Sequence, residues 1–285
     1  MRARITDYLA YTRPLSIPIT MVMVLTGWLA CPARPHGVAE VGGSMALLVL
    51  VYSVLLWGGS NAFNSAQDRD EGPVNLLPHP PPIPSHLGAF GLSLKLAGVL
   101  ASAAFGAACV ALAAGAALAS LFYSWRRMPW RRGKEIPGVD NLINAGGCGL
   151  GSFAYGWCAA GGLPDATMGY LGLAWTVCLF GGMPTAQIFQ LSPTDTAQSA
   201  RNWTAWLGAG RTLKVGAALF AVHFFLIAYA SPLSASTVVW GASVLVGAAH
   251  SAWWSRRPFD HAHARMLRQM TVLTTGQLAW AIGRL

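Results

Sequence analysis

Apolar residues run almost unbroken from Met45 to Phe63, from Leu87 to Phe122 and from Leu142 to Gly162. Runs of about 20 residues match a hydrocarbon layer of about 30 Å at about 1.5 Å rise per residue. Lipid offers no hydrogen-bond partners, so a spanning segment must satisfy its own backbone. Barrel strands would alternate polar with apolar positions, which these runs do not. The expected class is therefore all-α, a polytopic membrane protein. Composition agrees: 10% of the 285 residues are charged, where a soluble domain carries about 25%. Nine spans are expected, over Leu15–Cys31, Ser44–Asn64, Leu87–Ser102, Ala104–Phe122, Leu142–Gly162, Thr167–Gln187, Leu213–Ser231, Ser236–Trp254 and Met270–Gly283. No turn residue marks the division of residues 87–122 into two helices. Residues 1–285 read as a single transmembrane domain.

The net charge of +9 is a topology signal rather than the mark of a nucleic-acid partner. With every second connection on one side, all nineteen basic residues except Arg34 and Arg284 gather there, Lys95 included. That positive-inside bias puts the amino terminus and the charged loops in the cytoplasm, facing anionic lipid headgroups or phosphates. No Ala-x-Ala cleavage pattern follows the first apolar run, which reads as a retained helix. The Ala/Gly-rich composition without targeting signals suits a bacterial inner membrane. Cys31, Cys109, Cys148, Cys158 and Cys178 show no metal-ligand spacing and read as small buried hydrophobes. His223 and His250 fall within spans and read as packed core residues.

The inner loops are long and polar. The first, Asn61-Ala-Phe-Asn64-Ser-Ala-Gln-Asp68-Arg-Asp70-Glu71-Gly72-Pro73, closes the second span. If the helix continues to Gly72, Asn64, Asp68 and Glu71 share one face, and Asp70 points elsewhere unless the last turn unwinds. Acids at a helix C-terminus oppose its dipole, a cost that a bound divalent cation would offset. Oxygen ligands of this kind suit Mg²⁺. The segment Leu77-Pro-His-Pro-Pro-Pro-Ile-Pro84 is stiff and extended, a spacer or lid anchor. The second loop, Tyr123-Ser-Trp-Arg126-Arg127-Met-Pro-Trp-Arg131-Arg132-Gly-Lys134, carries five positive charges. It reads either as a topology signal or as a diphosphate clamp. Pro137-Gly-Val-Asp140-Asn141 then turns the chain into a helix with Gly146, Gly147, Gly149 and Gly151, whose small residues allow close packing. In the third loop Gln187 and Gln190 lie one turn apart, Asp195 is the single acid, and Arg201 follows.

Together these loops resemble the UbiA superfamily of intramembrane prenyltransferases. Asn64-Ser-Ala-Gln-Asp68-Arg-Asp70-Glu71-Gly72 resembles the family's first Asp-rich motif, in the variant followed by a proline-rich loop. Tyr123-Ser124, Pro129, Arg132 or Arg131, Lys134, Pro137-Gly138 and Leu142-Ile143-Asn144 resemble its loop after helix four. Pro184-Thr-Ala-Gln187-Ile-Phe-Gln190 resembles the start of the second motif, and Arg13-Pro14 the amino-terminal signature. The resemblance spans almost the whole chain. It implies a UbiA-like bundle with a central lipid-accessible cavity, and Mg²⁺-dependent transfer of an isoprenyl group from its diphosphate to a hydrophobic aromatic or lipid acceptor. The metals and basic side chains would draw charge onto the leaving diphosphate. By resemblance, Asn64, Asp68, Asp70, Glu71 and Asp195 would hold metal, Asp68 and Asp195 being the catalytic acids. Tyr123, Arg127, Arg131, Lys134, Gln190 and Arg201 would meet the diphosphate. The second motif departs from the pattern, since Ser192-Pro193-Thr194 stands where acids are expected. The rival readings are a membrane terpene cyclase, a non-catalytic lipid-binding relative and, last, a transporter.

Overall fold

Thirteen α-helices account for most of the residues that a computed structural model describes, which are 4–35, 38–70, 74, 77, 79–127, 129–191, 202–230, 234–257 and 262–283. They are α1 (Ile5–Ala10), α2 (Ile17–Ala30), α3 (Val38–Val49), α4 (Gly58–Asp68), α5 (Leu87–Ala101), α6 (Ala107–Ser124), α7 (Val139–Gly146), α8 (Ser152–Ala159), α9 (Ala166–Gly182), α10 (Trp203–Leu207), α11 (Ala209–Ala230), α12 (Ala235–Trp254) and α13 (Ala262–Ile282). π-helical turns at Leu50–Trp57 and Gly147–Gly151 carry α3 into α4 and α7 into α8. The described residues hold no strand, only an isolated bridge between Val74 and Leu77.

Seven helical stretches among the described residues are long and apolar enough to cross a bilayer: Ile5–Ala30, Gly42–Asp68, Leu87–Phe105, Ala107–Ser124, Ala166–Ile188, Ala209–Ala230 and Ala235–Trp254. The protein is an integral membrane protein of helical class. The other two expected spans, Leu142–Gly162 and Met270–Gly283, fall on helix as well. The first is interrupted by the π-turn between α7 and α8, and the second is the later part of α13, whose early turns carry Arg265 and Arg268. The division of residues 87–122 does have a turn residue. Gly106 takes φ 97°, ψ 172° after a 3-10 turn at Ser102–Phe105, a conformation open to glycine and strained for other residues.

The chain packs as two compact units, Met1–Arg132 with Ala154–Pro164, and Gly133–Phe153 with Asp165–Leu285. In the first, α4 and α5 meet backbone to backbone: a Cβ on Gly59 would lie 2.8 Å from the Gly91 carbonyl oxygen, and one on Gly91 2.6 Å from the Phe63 nitrogen. Small residues at such a seam give lipid-embedded helices the van der Waals contact that replaces a hydrophobic driving force. Lys95 shares this stripe of α5. It is 3% exposed, donates to Ser120 Oγ at 2.7 Å and lies 4.5 Å over the Phe63 ring. Lys95 therefore belongs inside a span and leaves the tally of inner-loop charges, which otherwise keeps its asymmetry.

The second unit is built on α9, α11, α12 and α13. Trp175 and Trp240 pack against His223, and Trp280 meets Trp175 edge-on, all of them buried. His223 Nδ1 lies 2.7 Å from the Ala174 carbonyl and Nε2 accepts the Trp240 indole N–H at 3.0 Å. Those two partners fix a neutral Nδ1–H imidazole, so His223 is the hydrogen-bonded core residue that its position suggested. The five cysteines are free and buried, as small hydrophobes. Of the α7–α8 glycines, Gly149 packs its Cα face on Thr176, whereas Gly146 and Gly147 face open space.

Candidate functional site

α4 stops at Asp68 because Arg69 turns left-handed, φ 56°, ψ 53°. The Arg69 and Asp70 N–H groups then both return to the Ser65 carbonyl, at 2.9 and 3.3 Å. The helix does not run on to Gly72; the last turn unwinds, and Asp70 swings to a place the straight helix would have denied it. Arg13 is the only other described non-glycine residue with positive φ, at 54°. A left-handed L-residue costs about 1–2 kcal/mol, and such strain concentrates at functional sites. Both outliers flank the same acids.

Each described acid of the first motif has its own arginine. Arg132 Nη1 donates to Asp68 Oδ1 at 2.8 Å, the side chains being 11% and 17% exposed. Arg13 Nη2 stands 3.5 Å from Asp70 Oδ2, at 11% and 15% exposure, and donates to Ser65 Oγ at 3.0 Å. These cations offset the acids' conflict with the helix dipole. Arg126 adds its backbone N–H to Gln67 Oε1 at 3.1 Å and a guanidinium contact to the Asp68 carbonyl at 3.4 Å. Asn64 Oδ1 accepts the Ser124 hydroxyl at 2.9 Å, which joins α4 to the end of α6. Tyr11 ties the proline-rich stretch to the turn, donating to the Pro81 carbonyl and approaching the Asp70 carbonyl at 3.4 Å.

Of the residues singled out from sequence, Asn64, Asp68, Asp70 and Tyr123 come together, Tyr123 within electrostatic reach of Arg13. Arg127 and Arg131 are exposed. Lys134 lies in the 3-10 turn Gly133–Glu135 of the second unit, and Gln190 closes the 3-10 segment Met183–Gln190. Glu71, Asp195 and Arg201 lie outside the described residues. Sequence reasoning chose Arg131 over Arg132, and gave Arg13 no role beyond a signature. Five cations in one loop offer no periodicity that selects among them. Arg13 did carry a signal, a lone charge where the first apolar run begins.

Among the described residues no three His, Cys, Asp or Glu side chains converge as a metal cage. The donors that do share the end of α4, Asn64, Asp68 and Asp70, are all oxygen. That set fits a hard cation such as Mg²⁺, which commonly takes one or two carboxylates and completes its shell with water and phosphate oxygens. It would not suit a soft metal.

A helical membrane protein thus brings Asn64, Asp68 and Asp70 together with Arg13 and Arg132 where α4 ends. The chain belongs to the UbiA prenyltransferase family, whose sequence profile matches residues 17–273. It is similar in fold to a UbiA homologue from Archaeoglobus fulgidus solved with DMAPP and Mg²⁺, at 15% identity, TM-score 0.69 and 98% coverage of both chains. The same homologue with GPP and Mg²⁺ gives 14% identity and TM-score 0.65, covering 97% of this chain and 99% of that one. A digeranylgeranylglyceryl phosphate synthase structure gives 15% identity and TM-score 0.63, covering 98% of both. No protein of curated function matches the sequence.

Proposed function

We propose that the protein transfers an isoprenyl group from an isoprenyl diphosphate to a hydrophobic acceptor, aromatic or lipid, as one transmembrane domain of residues 1–285. The reaction would take place at the cytoplasmic face of a bacterial inner membrane, with the amino terminus and charged loops inside. The observation that carries this reading is the arginine-paired aspartates at the end of α4, in a chain that the family profile matches over residues 17–273. Asn64, Asp68, Asp70 and Glu71 would hold a first Mg²⁺, and Asp195 a second. Bound Mg²⁺ supplies the positive charge against which the leaving diphosphate gathers electrons. Arg13 and Arg132 hold the carboxylates in place before substrate arrives, and their guanidinium groups suit phosphate oxygens as well as carboxylates. Tyr123, Arg127, Arg131, Lys134, Gln190 and Arg201 remain the residues assigned to the diphosphate by resemblance.

The test is release of diphosphate from geranyl, farnesyl and geranylgeranyl diphosphates by purified protein, with and without Mg²⁺ and a membrane-lipid extract. Release that needs both Mg²⁺ and the extract is the expected result. Release without the extract would replace transfer by cyclisation, and no release from folded protein would leave a lipid-binding relative. Within the basic loop, Arg132→Ala is expected to raise KM for the prenyl diphosphate about tenfold, in the range of supporting groups at metal sites. Arg131→Ala, at an exposed position, should change it less than about twofold; equal effects would remove the distinction drawn from the Asp68 pair.

A further inference from the structure

A buried side-chain bond pins the register of α12 against α13. Gln269 Nε2 donates to Ser251 Oγ at 2.9 Å, with both residues buried. Nearer the turn, Trp254 and Met266 are buried in a core shared with Leu213 of α11 and with Ile188. Successive residues on a helix are rotated by about 100°, so Trp253 and Arg265 stand on the rim when Trp254 and Met266 point inward. Trp253 is 46% exposed. His250, one turn earlier, lies against it with ring centroids 5.8 Å apart.

Two guanidinium groups meet this one indole. Arg257, just past the end of α12, holds its Cζ 5.5 Å from the Trp253 ring centroid, and Arg265, in the first turn of α13, holds its own at 5.3 Å. Both distances fall within the reach of a cation–π contact, about 6 Å. Among the described residues no carboxylate pairs with Arg257, which is exposed. An arginine held over a ring rather than on an acid keeps its in-plane N–H donors for an anion, and their fork suits phosphate oxygens.

The surroundings carry charge of one sign. The first two turns of α11 and α13 hold Arg211, Lys214, Arg265 and Arg268, and Arg256 precedes Arg257. A Cβ on Gly210 of α11 would lie 3.7 Å from the Ser255 carbonyl oxygen, so these helix ends are neighbours. None of α11, α12 and α13 contains Asp or Glu; Asp260, between α12 and α13, lies outside the described residues. Cations at a helix N-terminus oppose its dipole, a conflict that a bound anion relieves. A topology signal requires only that cations stay on one side of the membrane. It does not bring two of them to one ring.

The depth of the indole selects the anion. Trp253 is the penultimate residue of the membrane-crossing stretch Ala235–Trp254, which sets it at the boundary between hydrocarbon and headgroups, where lipid phosphates lie. A zwitterionic headgroup would bring its own ammonium into a field that is already positive, so the complement is an anionic headgroup. We propose that Trp253, Arg257 and Arg265 form a binding site for the phosphate of an anionic membrane phospholipid. The site uses none of the residues assigned to prenyl transfer and does not depend on that reading.

The probe is short-chain phosphatidylglycerol, titrated into the purified full chain in an uncharged detergent and followed by the thermal midpoint. A lipid that binds only the folded protein raises the midpoint by mass action. Phosphatidylglycerol should raise it, whereas phosphatidylcholine and inorganic phosphate at the same concentration should not. Arg257→Ala and Trp253→Leu should each raise the phosphatidylglycerol concentration for half the shift about tenfold, the order expected when a charge-assisted hydrogen bond is lost. Arg256→Ala removes the same charge at the exposed neighbouring position and should change that concentration less than about twofold, as for a screened surface charge. Equal effects of Arg256→Ala and Arg257→Ala would replace the site by diffuse attraction and overturn it. A shift as large with phosphatidylcholine or with inorganic phosphate would exclude an anionic lipid as the occupant, and no shift in the parent would remove the site. None of these readings needs turnover, so failure here and failure of prenyl transfer are told apart.

Discussion

Asp68→Ala is expected to lower Mg²⁺-dependent diphosphate release about 100-fold or more, the order of effect seen when a metal's charged ligand or its immediate support is lost. Two losses combine. The end of α4 keeps Asn64 and Asp70 but forfeits the carboxylate that Arg132 holds in position at 2.8 Å. Arg132, 11% exposed, is left as a cation without that partner, which adds positive charge where a positive ion should bind. Removing one member of a fully buried pair costs about 3–5 kcal/mol of stability; the partial exposure of this pair lessens the penalty through solvent screening. Asp68→Asn, which keeps size and a carbonyl oxygen, therefore serves as the companion. It should remain folded in detergent with a helical spectrum like the parent's and still lose most of the Mg²⁺ response. If both variants release diphosphate at the parent's rate, the metal assignment at the end of α4 fails.

A different position should govern whether the first unit assembles at all. Gly91→Ala places a methyl 2.6 Å from the Phe63 nitrogen, 2.8 Å from the Gly59 oxygen and 3.0 Å from the Phe63 Cα. All three obstacles are backbone, so no rotamer change relieves them, and α5 must shift away from α4. Overpacking of this sort costs about 1–3 kcal/mol, and the rigid obstacle places Gly91 at the upper end. For a chain of this size that is roughly 6–12 °C in midpoint temperature. Gly88→Ala is the matched control on the same helix. Its added carbon would meet Ala66 Cβ at 3.6 Å, an ordinary contact, and trading glycine for alanine in a helix gains up to about 1 kcal/mol. Thermal denaturation of the two variants side by side decides the matter. Similar midpoints would mean that α4 and α5 are not held by this close approach.

Much of the first motif was legible before any coordinates. Spacing placed Asn64, Asp68 and Glu71 on one face of a helix running to Gly72, with Asp70 freed only if the last turn unwound; α4 ends at Asp68 and does unwind, which brings Asp70 beside Arg13, while Glu71 lies outside the described residues. Arg132 was not legible, because its choice over Arg131 depends on where a loop without periodicity brings each side chain relative to Asp68. The hydrogen bonds of the buried Asp140, to the Gly138 and Trp203 N–H groups, were not legible for a related reason. Read along the chain it is an acid in the first turn of a helix, a common and unremarked place; its partners Gln187 and Trp203 are far away in sequence. Gly106 was overlooked as one small residue among many, since a glycine's positive φ leaves no trace in hydropathy.

What the sequence determined by itself is what depends on local composition and on the solvent. Long apolar runs can only be helices in lipid, and Asn64 and Asp68, four residues apart on one helix, share a face whatever surrounds them. What only the tertiary structure decided is pairing over distance: Arg13 with Asp70, Arg132 with Asp68, Lys95 drawn inside the bundle to Ser120 and Phe63, and Asp140 joined to both flanks of residues 192–201. The reason is physical. Hydropathy sums over neighbours along the chain, whereas a hydrogen bond or ion pair is satisfied only within about 3 Å of a particular atom, and which atoms meet is settled by helix packing.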